Sequence, residues 1–104
     1  MNLEENALVK NAADPQQVKQ AGGAQRRKRE MELRDVANIL ESQSGRRFVW
    51  RYLEECGVFK TSFTGTSQTF YLEGQRNIGL KLLADVNDAA PDAYLVMLKE
   101  NRGT

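Results

Sequence analysis

Apolar residues recur along this chain at helical spacing. Leu33, Val36, Ala37 and Leu40 stand at i, i+3, i+4 and i+7, one apolar stripe of a helix expected over about Ala24–Glu41. Phe48, Val49, Tyr52, Leu53 and Cys56 share a broader apolar face, which predicts a helix from Gly45 that stops at Gly57. A glycine there supplies a left-handed C′ residue, and Val58 can then fold back on Leu53. Tyr71, Leu72, Ile78, Leu82, Leu83 and Val86 form the face of the longest helix, about Thr69–Asn87. Gly79 in that face weakens the helix but lets a neighbour approach closely. Ala89-Ala90-Pro91 then breaks the pattern and starts a short helix to about Glu100, with Tyr94, Leu95 and Leu98 expected to face inward.

Punctuation along the chain supports these elements. Asp14-Pro15 reads as an N-cap followed by proline at the first helical position, with Gln17 where a capping box places Glu or Gln. The preceding stretch, about Leu3 to Ala12, is helix-permissive but weakly patterned. Gly22-Gly23 is expected to interrupt the helix begun at Pro15, because each glycine costs about 1 kcal/mol against alanine in a helix interior. Ser42 to Gly45 reads as a connector, and Lys60 to Gln68, rich in Ser and Thr, as a loop. The fold expected is all-α, a small bundle of four to five helices with an N-terminal helical arm over 1–41 and a compact module over 42–104.

Composition narrows the chemistry more than the fold. The 104 residues suit one compact domain, and 15 Lys+Arg against 14 Asp+Glu leave a net charge of +1 that selects no partner. With no histidine and one cysteine, an internal disulfide, a Cys/His zinc site and any Ser-His or Cys-His nucleophile pair are excluded. No stretch reaches the eighteen or so apolar residues of a membrane span, and the acidic opening lacks the pattern of a signal peptide. Synthesis and residence in a reducing cytoplasm are therefore expected, with which the lone Cys56 agrees.

Few constellations suggest chemistry. Glu54 and Glu55 diverge by about 100° on a helix, so they do not flank a common bond. Asp85 and Asp88 share a face near a helix end, where a solvated terminus explains them better than a cation, and Glu73 suits a helix N-terminus. Cys56, on an apolar face near a helix C-terminus, reads as a buried inert thiol. Gly74 belongs to no phosphate-binding loop and is ascribed to close helix packing. No catalytic residue, metal site or cofactor is expected.

Two surfaces could bind. Arg26, Arg27, Lys28 and Arg29 ring one helix and could contact phosphates, with a log–log salt slope of about −3.6 on duplex DNA if all four engage. They could equally meet an acidic protein surface, or form a solvated turn balanced by Glu30, Glu32 and Asp35. Base-specific reading is not supported, since no aromatics interleave with the cluster. Trp50, Phe59 and Phe63, with Tyr71 and Arg76 near them, form either an exposed protein-docking patch or a site covered by the 60–68 loop.

The segment Gly45–Asn101 carries two specific elements, Phe48, Trp50, Leu53, Glu54, Gly57 and Phe59, then Glu73, Gly74, Arg76, Gly79, Leu80 and Leu82. In these it resembles a family of small tailed-phage proteins named after a gene product of a Bordetella podophage. The resemblance covers a little over half the chain and leaves out the basic arm to Glu41. It implies a tailed-phage origin and a structural or accessory role in the virion, docking against other phage structural proteins in multiple copies, in a ring or similar assembly. It carries no catalytic residues or cofactor. The alternatives kept open are a DNA-contacting packaging or ejection accessory using Arg26 to Arg29, and a phage-encoded inhibitor that binds a host protein through the aromatic patch.

Overall fold

A computed structural model describes residues 14–103 of the chain. Among them are four helices and no strand: α1 (Pro15–Leu40), α2 (Gln43–Glu55), α3 (Gln68–Ala89) and α4 (Pro91–Glu100). The expected all-α fold is present. The weakly patterned stretch from Leu3 to Ala12 lies outside the described residues. The chain divides into two compact units between Glu32 and Leu33.

In the first unit, Asp14 caps α1 as its sequence position predicts, its Oδ1 accepting the Gln16 N–H at 3.0 Å. The expected break at Gly22-Gly23 does not occur, and α1 runs through both glycines. Neither glycine has a positive φ. Their combined cost of about 2 kcal/mol is spread over a long helix rich in Gln, Lys, Arg, Glu and Ala, all strong helix formers.

The second unit holds the core, made of Leu40, Val49, Leu53, Val58, Val86 and Met97. The end of α1 contributes as its stripe predicts, with Leu40 buried and Leu33, Val36 and Ala37 half-buried. In α2 the expectation is half right. Val49 and Leu53 are buried, but Phe48 is 56% and Tyr52 43% exposed. The apolar arc of α2 is wider than the surface its neighbours can cover. Likewise α3 buries Gly79 and Val86 while Tyr71 and Ile78 remain exposed. For α4 the inward set is Ala93, Tyr94 and Met97, following Ala90, and not Leu95 or Leu98, both exposed. These four stand at i, i+3, i+4 and i+7, a true helical stripe, which Tyr94, Leu95 and Leu98 do not complete.

The ends of α2 are well specified. Ser42 accepts the Gly45 N–H at 3.0 Å, so the helix starts at Gln43, slightly before the expected Gly45. At the other end Gly57 takes φ +75°. Its N–H bonds to Glu54 O at 2.9 Å and that of Val58 to Leu53 O at 3.2 Å, the paired bonds of a Schellman cap. Val58 is thereby folded into the core against Leu53, as its place after Gly57 predicts. The cap also explains Gly79, where an added Cβ would collide with Val58 and lie 2.6 Å from the Cys56 Cβ. Gly74, by contrast, has nothing within 4 Å of an added Cβ, so close packing does not account for it.

Candidate functional site

The second unit carries an apolar groove of about 270 Å³, lined by Val36, Ile39, Phe48, Val49, Tyr52 and Leu82. Its geometry follows from the corner between α1 and α2. The helices are separated only by Glu41 and Ser42, so the last turns of α1 are brought back beside the first turns of α2. An added Cβ on Gly45 would overlap the Ile39 carbonyl, and glycine is what permits that approach.

Arg46 holds the corner. Its Nη1 donates to the carbonyls of Leu40 at 3.0 Å and Glu41 at 3.1 Å, both left without intrahelical partners at the end of α1. Its Nε and Nη2 form a fork with the two carboxylate oxygens of Glu100, each at 2.9 Å, which secures the end of α4. The hydrogen bond from Arg46, ahead of the charge attraction, holds the Glu100 carboxyl below its usual range, and the same bond raises Arg46.

On one lip of the groove stand Val36 and Ile39, the latter 47% exposed. On the other, Phe48 and Tyr52 touch at 5.0 Å between ring centroids, one turn apart on α2. The guanidinium of Arg51 lies over both rings, 5.8 Å from Phe48 and 5.1 Å from Tyr52. The sequence pattern gave Phe48 and Tyr52 the same apolar face as Val49 and Leu53 and did not separate out the groove. The available signal was an apolar arc on α2 too wide for one core contact.

Of the predicted docking patch, Trp50 and Phe59 come together, stacked at 4.8 Å with 27° between their planes. Trp50 is half-buried beneath Phe59, which is exposed. Phe63, 76% exposed, and Tyr71 make no ring contact with this pair, and Tyr71 instead accepts a bond from Gln75 at 3.1 Å. Arg76 borders a second cleft, of about 280 Å³, with Glu54, Lys60, Thr61 and Ser62, and its Nε is buried without a hydrogen-bond partner. The loop over this cleft is stitched to α3 by Ser62, which donates to Glu73, and by Thr69, whose hydroxyl accepts the Thr64 N–H at 3.0 Å. Glu73 thus holds a loop rather than only favouring a helix start.

Arg26, Arg27, Lys28 and Arg29 are all exposed on α1, in the first unit. Cys56 is the half-buried C-cap of α2, and Glu54 and Glu55 are exposed. Asp85 and Asp88 near the end of α3 are both engaged in contacts. Among the described residues no group of His, Cys, Asp and Glu side chains is arranged to hold a metal ion, and no helix is long and apolar enough to cross a membrane.

A family model described as Bbp19-like phage protein matches residues 36–99. The match begins earlier than the Gly45 suggested by the sequence elements, at the last turns of α1. It therefore spans every residue lining the groove and excludes Arg26 to Arg29. No curated protein and no solved structure matches the chain.

Proposed function

This chain belongs to the Bbp19-like phage protein family, and from that premise we propose that it is a component of the virion, working by protein–protein docking without catalysis. The observation that carries the reading is the apolar groove with its exposed lips, contained wholly in the family segment. Exposed large apolar side chains outnumber buried ones among the described residues, Phe70 reaching 81% and Tyr71 66% exposure. A chain that leaves so much apolar surface outside its own core is built to be covered by protein. The basic cluster at Arg26 to Arg29 lies outside the family segment, so a DNA-contacting role rests on that cluster alone and ranks second.

Quantitative mass spectrometry of purified particles, before and after genome release, tests the proposal. The chain is expected in full particles at a fixed copy ratio to the major shell protein. Retention after release assigns it to the shell, neck or tail, and loss assigns it to the ejected contents. Absence from full particles overturns the virion role and leaves a scaffold or a host-directed inhibitor.

A further inference from the structure

We propose that the groove formed by Val36, Ile39, Phe48, Tyr52 and Leu82 is the interface through which a second copy of this chain binds, about a two-fold axis. The inference rests on the docking function above and names the occupant. Ile39, Phe48 and Tyr52, each roughly half exposed, together present on the order of 300 Å² of apolar surface. That is the scale of a functional patch on a protein surface. Ile78, one turn before Leu82 on α3, is also 60% exposed.

Three observations favour a like copy over a different protein. The lips are chemically unlike, aliphatic on α1 and aromatic on α2. A two-fold axis sets the aliphatic lip of each copy against the aromatic lip of the other, the reciprocal pairing that an isologous interface requires. The flanks are also opposite in charge. Asp35 is exposed beside the α1 lip and Arg51 lies over the α2 lip, so the same axis pairs Asp35 with Arg51 twice. Finally, a net charge of +1 puts no appreciable repulsion between copies.

Sedimentation velocity of the full chain, from about 1 to about 100 µM, reads the outcome directly. The weight-average mass is expected to rise with concentration from 11.8 kDa toward twice that value. Phe48→Glu, at an exposed position, should hold the mass of one chain with unchanged far-UV circular dichroism. Asp35→Arg and Arg51→Glu should each weaken association about tenfold or more, and the two together should restore it. A wild-type chain that stays at 11.8 kDa throughout overturns the proposal, as does a dimer indifferent to Phe48→Glu or a double variant no tighter than either single one. The two levels separate cleanly. A monomer whose Phe48→Glu variant is missing from particles refutes the second copy and keeps the docking function. A groove-dependent dimer that is absent from particles keeps the interface and refutes the virion role.

Discussion

Val49 and Leu53 occupy one flank of α2 and Phe48 and Tyr52 the other, a single residue step apart in sequence. The first pair is buried in the core, Leu53 at 0% exposure, while the second forms the lip of an open groove. Hydrophobicity does not separate them, since the aromatic pair carries the larger apolar surface. Position does. The flank facing α3 and α4 is sealed by Val86 and Met97, and the flank facing the α1 corner is not. One helix therefore seals the core with one side and leaves apolar surface open on the other.

The largest test of that division is Leu53→Ala against Phe48→Ala. Leu53→Ala should cost about 2–5 kcal/mol through lost burial and the cavity left behind. Phe48→Ala should stay within about 0.5–1 kcal/mol in urea unfolding, at concentrations low enough to keep chains apart. Equal losses would mean that both flanks support the fold. A smaller effect sharpens the contrast between glycines. Gly57→Ala should cost about 1–2 kcal/mol because φ +75° strains a side chain. Gly74→Ala, in a helix with open space around it, should gain about 0.5–1 kcal/mol. Reversed signs would refute the cap as the end of α2. The smallest effect concerns the corner clamp. Because Arg46 depresses the Glu100 carboxyl, its contribution is present above the ordinary carboxylate range and is lost as pH falls through the lowered value. Wild type should thus melt above Glu100→Gln at neutral pH, with the gap closing in acid. A gap independent of pH would show that the ion pair is not its source.

Much of the fold was legible from local signals. Asp14-Pro15, Gly57-Val58 and Ala90-Pro91 mark element ends through backbone chemistry that needs no tertiary partner. Gly79 was readable as a close-approach site, although its neighbour is the turn after α2 rather than a helix body. Gly22-Gly23 misled because propensity is a sum over a helix, and two poor residues within many good ones do not stop it. The stacked Trp50–Phe59 pair was partly visible as an aromatic group, but Phe63 and Tyr71 do not join it, because proximity in sequence does not fix which rings meet. The groove was not legible, since Val36, Phe48, Val49, Tyr52 and Leu82 lie on the same apolar faces as core residues and Ile39 falls beside the α1 stripe.

By itself the sequence determined a helical chain, the ends of its helices, the absence of histidine chemistry and of any internal disulfide, and the motifs of its phage family. These follow from local backbone preferences and residue chemistry, which act over a few positions. Only the tertiary structure decided which apolar residues seal the core and which remain open, that Met97 and not Leu95 faces inward, and that Arg46 reaches Glu100 across the fold. The physical reason is that periodicity sets the width of an apolar arc, whereas burial depends on how much of that arc neighbouring helices can reach. In α2 that reach ends between Val49 and Phe48, and the uncovered remainder is the surface available to a partner.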